Sequence, residues 1–156
     1  MSVFLIELGL VGRPRFHRDP LFWLAAAGGA IVALGIWLWI PVEGPPAGST
    51  ILWVVLTTVI IYPLLEELVF RGAVQGWLLD RRWGAQSRLG ITVANLVTTA
   101  AFTTLHFLHH PPLWALSVAV PSLVFGLFRD RHGHVYPSIA LHGLYNLFYL
   151  LAVAFG

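Results

Sequence analysis

Apolar residues fall in five long runs, at about 21–42, 51–79, 90–108, 112–128 and 135–155. Each is near the ~20 residues that a membrane-crossing helix needs, and the second is longer. The breaks between them carry turn chemistry: Pro45-Pro46-Ala47-Gly48, Asp80-Arg81-Arg82, Pro111-Pro112 and Arg129-Asp130-Arg131-His132-Gly133. The pattern predicts an all-α fold, a polytopic integral membrane bundle of about five transmembrane helices in one domain over 1–156. Residues 3–12 are apolar but short, and arginines follow them instead of preceding them, so they do not read as a cleavable signal. They suit an interfacial segment or a frayed tail equally well.

Composition strengthens this picture. Hydrophobic residues make up 58% of the chain and charged ones 10%, against about 25% charged in a soluble domain. There is no cysteine, which removes disulfides, cysteine nucleophiles and cysteine metal sites from consideration. All 9 basic residues are arginine, and all but Arg71 flank the runs at one side. Arg13, Arg15 and Arg18 precede the first run, Arg81, Arg82 and Arg88 follow the second, and Arg129 and Arg131 follow the fourth. The 41–50 loop, the 109–111 loop and the C-terminus have none, so the positive-inside rule puts the N-terminus in the cytoplasm and the C-terminus outside. Flanking arginines account for the net charge of +2, and nothing points to nucleic acid as a partner. Trp23, Trp77 and Trp83 lie near the inner interface and Trp37, Trp39, Trp53 and Trp114 near the outer one, as in an aromatic belt.

Against this apolar background a few polar residues stand out. Glu66 and Glu67 sit in the middle of the second run, where an ionised carboxylate costs several kcal/mol or more unless it faces protein or water. Adjacent helix positions point about 100° apart, so the two acids face different ways. Glu67 and Arg71 are i,i+4 neighbours and can pair. Glu66 is left without a local cation. Pro63, one turn earlier, bends the helix. In the third run, Phe102-Thr103-Thr104-Leu105-His106 carries a histidine; in the fifth, His142 and Asn146 share a face at i,i+4. Bundle hydrogen bonding would account for either group alone. Ser122 and Gly126 form a small-xxx-small pair that reads as close helix packing.

Depth links these groups. At 1.5 Å per residue, Glu66 is roughly 21 Å from Asp80, His106 roughly 24 Å from Gly90, and Asn146 roughly 22 Å from Arg131. A carboxylate, an imidazole and a donor pair at one level make a workable site for peptide-bond hydrolysis. Glu66 would take a proton from water, His106 would orient that water or share the proton, and His142 and Asn146 would donate to the oxyanion. No metal is needed, though Glu66, His106 and His142 are also a candidate Zn2+ set. His109 and His110, beside Pro111, fall in the loop.

The ordered set Glu66-Glu67-x-x-x-Arg71, Phe102-x-x-x-His106, Gly126 and His142-x-x-x-Asn146 resembles the type 2 CAAX prenyl protease and bacteriocin-processing (CPBP) family of intramembrane proteases. The resemblance covers about residues 50–150, leaving 1–49 as an N-terminal segment and first span. It implies Glu66 and His106 as the water-activating pair and His142 and Asn146 as the oxyanion site. Glu67, Arg71 and Phe102 would support them. It implies a glutamic-type peptidase with no cofactor, a lipid bilayer as surroundings and a membrane-anchored protein or peptide as substrate. The chain has fewer spans than many relatives, so it resembles a minimal prokaryotic member of the cytoplasmic membrane. It would process a C-terminal membrane tail more readily than a prenylated protein. The competing expectations are a zinc metalloprotease, a non-catalytic immunity or scaffold protein, and, more weakly, a transporter, for which no inverted repeat is visible.

Overall fold

The computed structural model describes residues 8–12, 14–39 and 50–155. The 45–48 break, Arg13 and the first residues of the 3–12 run lie outside the described residues, as do the side chains of Trp37 and Trp39. A 3-10 turn, Phe16–Arg18, leads into helix α1, Pro20–Trp39. Asp19 caps it by accepting the Leu21 amide at 3.0 Å. Pro20 takes the first position, where a missing N–H costs nothing. Helix α2 runs unbroken over Ile51–Leu79, but two of its stretches, Leu56–Ile61 and Leu68–Val74, are wound as π-helix.

The third run departs from expectation. Instead of starting a helix near residue 90, the chain forms a short antiparallel hairpin of β1, Ser87–Arg88, and β2, Ile91–Thr92. Its tip puts Leu89 at φ 54° and Gly90 at φ 82°, the two positive values that suit a tight hairpin. Helix α3, Val93–His106, follows with 14 residues, capped by the Thr92 side chain. That is roughly 21 Å of helix, short of a hydrocarbon core about 30 Å thick. Helices α4, Pro112–Ser117, and α5, Ala119–His132, follow one another closely. Helix α6 is Tyr136–Phe155. The 129–132 stretch read from sequence as a loop is the last turn of α5, and the break falls at Gly133, in the left-handed region at φ 71°.

Among the described residues three stretches are long and apolar enough to cross a membrane: Ile51–Leu79, Pro112–His132 and Tyr136–Ala154; Pro20–Ile36 is a shorter apolar helix. The all-α membrane bundle therefore holds. Its apolar core joins Phe22 and Ala26 of α1 to Phe125 and Phe128 of α5 and Leu141 of α6. Gly29 lets α1 lie directly on Tyr145, whose hydroxyl donates to the Ala25 carbonyl at 2.9 Å. Leu24, Ile31, Leu52, Val120 and other large apolar side chains stay exposed, as lipid-facing residues do.

Residues 8–12 are not a frayed tail. The Val135 amide donates to the Gly9 carbonyl at 3.0 Å and the Tyr136 hydroxyl to the Leu10 carbonyl at 2.6 Å. The segment lies as a strap across α2 at Gly72, the last turn of α5 at Arg129 and the start of α6.

Candidate active site

Glu67 is fully buried. Its Oε1 accepts from Arg71 Nη1 at 3.1 Å, the predicted i,i+4 pair, and from His142 Nδ1 at 2.9 Å. Arg71 is also fully buried. Its Nη2 donates to the Ser122 carbonyl at 2.9 Å and to the Ser122 hydroxyl at 2.6 Å. The guanidinium lies over the rings of Phe102, 4.8 Å away, and Phe125, 5.5 Å away. A buried charge needs such a set of partners, because losing one strands the other.

Glu66 points elsewhere, and its side chain is 36% exposed. It has no cation on its own helix, as the sequence suggested, but His142 Nε2 of α6 is 3.8 Å from its Oε2. One imidazole therefore sits between the two acids. Because an ionised Glu67 can only accept, Nδ1 carries the proton of that bond and Nε2 faces Glu66. The ring is held in plane by stacking on Phe125, with centroids 4.9 Å apart.

His106 ends α3. Its Nδ1 lies 2.8 Å from the Phe102 carbonyl, which can only accept, so Nε2 is the nitrogen left for chemistry. The Phe102 ring is 4.4 Å from His106 and 6.2 Å from His142, a wedge between the two imidazoles. Both histidines and Arg71 are within Coulombic reach of Glu66.

Asn146 is anchored by a feature of α2. In the first π turn the Tyr62 amide bonds the Thr57 carbonyl and passes over that of Thr58. Pro63 has no N–H to offer it either. Asn146 Nδ2 takes the Thr58 carbonyl at 2.9 Å, leaving its second amide hydrogen uncommitted by that bond. Gly143 makes this approach possible, since a Cβ there would lie 2.8 Å from the Val59 carbonyl.

A polar network behind the site was largely missed from sequence. The Ser122 hydroxyl donates to Thr99 at 3.1 Å, and Thr99 donates to Asn95 Oδ1 at 3.2 Å. Gln75 Nε2 donates to the Gly126 carbonyl at 3.0 Å and to Asp130 at 2.7 Å, and Thr92 donates to the other Asp130 oxygen at 2.8 Å. Gly126 is a packing residue, as read: a Cβ there would fall 2.0 Å from Asn95 Oδ1. Ser122 is more than packing, because it holds Arg71. Spacing was the available signal. Glu67-Arg71-Gln75, Asn95-Thr99-Thr103 and Ser122-Gly126-Asp130 each run at i, i+4, i+8, one face of a helix.

Among the described residues no three His, Asp or Glu side chains are grouped as a metal shell. An apolar cleft lies beside the polar site, between α2 and α6, lined by Val59, Leu64, Gly143 and Leu147 among others.

A family model described as type II CAAX prenyl endopeptidase, Rce1-like, matches residues 48–148. No curated protein and no solved structure matches the chain.

Proposed function

The chain belongs to the type II CAAX prenyl endopeptidase Rce1-like family and is an intramembrane peptidase, and on that premise we propose that it hydrolyses its substrate with water activated by Glu66 and His106. The single observation that carries the reading is His142 set between the two acids, Nδ1 on Glu67 and Nε2 toward Glu66. Glu66 is the half-open carboxylate, so it takes the proton of the attacking water and returns it to the leaving amine. His106 Nε2 orients that water. His142 and Asn146 stabilise the oxyanion. With Nδ1 committed to Glu67, Nε2 of His142 donates only when the ring is protonated, so its oxyanion role in this reading belongs to the imidazolium, while the water proton passes through Glu66 alone. Glu67, Arg71 and Phe102 hold these groups without touching substrate.

The substrate in this reading is a protein with a C-terminal membrane tail, in a prokaryotic cytoplasmic membrane with the N-terminus inside. The apolar cleft between α2 and α6 suits a tail that approaches from the lipid. The glutamic type is the reading we follow, since among the described residues no three His, Asp or Glu side chains group as a metal shell.

Glu66→Gln preserves shape and removes the base. In liposomes carrying a reporter with an apolar C-terminal tail, cleavage should fall by about 100-fold or more. Cleavage at the wild-type rate would end the catalytic role of Glu66. Stoichiometric zinc in protein purified without added metal, lost together with activity, would transfer the reaction to the zinc reading.

A further inference from the structure

The second π turn of α2 passes over a carbonyl just as the first does. The Gln75 amide, which in an α-helix would bond Arg71, goes to the carbonyls of Phe70 and Gly72. Arg129 Nε of α5 takes the Arg71 carbonyl at 3.0 Å. We propose that Arg129 is a positioning residue of the active site: clamped under the Leu8–Gly12 strap, it holds open the π turn that phases Glu67 and Arg71 against His142 and Ser122.

The reasoning is geometric. A π turn amounts to one extra residue in the helix, so losing it turns everything beyond by about 100°. Glu67 lies just before this turn and Arg71 and Gln75 lie in or after it. Their partners sit on different elements: His142 on α6, Ser122, Gly126 and Asp130 on α5. Only one phase satisfies both sets. Arg129 is 6% exposed, so its bond to a backbone carbonyl is made away from water, where leaving it unmade is costly.

The strap closes over this contact. A Cβ on Gly9, which has φ +64°, would lie 3.0 Å from Arg129 Nε and Cζ. A Cβ on Gly72, within the π turn, would lie 3.0 Å from the Leu8 carbonyl. Two glycines thus admit the strap to the back of the catalytic helix. The strap precedes residues 48–148, the region of the family match.

The assignment rests on Glu67 and His142 belonging to the active site, and its test is read without substrate. In 15N-histidine-labelled protein in detergent, the His142 Nδ1 proton bound to Glu67 gives a downfield resonance, identified by its absence in His142→Gln. Arg129→Met removes the donor and the charge; Arg129→Lys keeps the charge but puts a methylene where Nε was. Both should lose or shift that resonance. In the tailed-reporter assay kcat should fall by about tenfold with little change in KM, the sign of misplaced groups rather than lost binding. An unchanged resonance in both variants would overturn the proposal, and so would full restoration by Lys, which would reduce Arg129 to a charge. Should Arg129→Met fail to fold, Gly9→Ala decides by the same resonance: its loss supports the clamp, its retention overturns it. A resonance that responds while even wild-type protein leaves every reporter intact would count against the catalytic reading alone.

Discussion

Glu66 and Glu67 are chemically identical neighbours in opposite surroundings. Glu67 is sealed in and holds two cationic or donor groups; Glu66 is a third exposed and faces one nitrogen at 3.8 Å. In the proposed mechanism that division separates a positioning acid from a reacting one, and sequence carried it through the i,i+4 arginine alone. The support reaches out to Gly126, where α3 and α5 touch. Gly126→Ala drives a methyl into Asn95 Oδ1, 2.0 Å away. Overpacking of this kind costs about 1–3 kcal/mol, readable as lowered denaturant stability in detergent, and Asn95→Ser should recover part of it. Full stability in Gly126→Ala would mean that α3 and α5 have slack. Residue-level reading succeeded where a charge stood out against an apolar run and failed at Ser122, Thr99 and Asn95. Small hydroxyls and amides carry no charge to flag them in a helix, and only their spacing betrays a common face. Arg129 failed for the opposite reason: its charge was conspicuous, and proximity to Asp130 and Arg131 made it look like a loop.

Between residues and bundle lies the helix, and α2 is the element that sequence described least well. Its bounds were legible at 51–79 because apolar length fixes them. Its winding was not. Pro63 announces a missing donor but not whether the helix bends or changes pitch; here the turn before it widens to Leu56–Ile61. The outcome depends on a partner far along the chain, Asn146, ready to occupy the Thr58 carbonyl. Pro63→Ala restores an amide that competes for that carbonyl. Apparent Tm should hold or rise, since proline is the poorest helix former, while cleavage falls roughly tenfold or more; outright loss of an oxyanion donor costs about 10²–10³. A rise in Tm with undiminished cleavage would show that Asn146 does not depend on the π turn. The hairpin at Ser87–Thr92 was hidden for a simpler reason: two-residue strands leave no periodicity to read.

At the scale of the molecule, Asp19 ties the start of α1 to the end of α5. It accepts from Arg131 Nε and lies 3.1 Å from His132 Nε2. The Arg131 hydrogen bond, with the Leu21 amide and the charges of Arg131 and His132, holds the Asp19 carboxyl below its ordinary 3.8 despite some loss of hydration. A depressed folded value makes the contribution complete above the unfolded value and removes it as pH falls through the folded one. The tie is therefore intact at neutral and mildly acid pH and weakens only below about pH 4. Melting curves of wild type and Asp19→Asn in detergent should differ near neutrality and converge in stronger acid. A gap that persists undiminished there would mean that Asp19 acts through something other than its charge.

Helix α3 also matters at this scale. It is 14 residues long and ends at His106, shorter than a hydrocarbon core about 30 Å thick. A bilayer meeting so short a rod puckers toward it instead of leaving its end groups in oil. Such a dimple would bring the aqueous phase down to the imidazole. Hydrolysis consumes a molecule that hydrocarbon excludes, and under the proposed mechanism a stunted helix would bring that molecule within reach of the site.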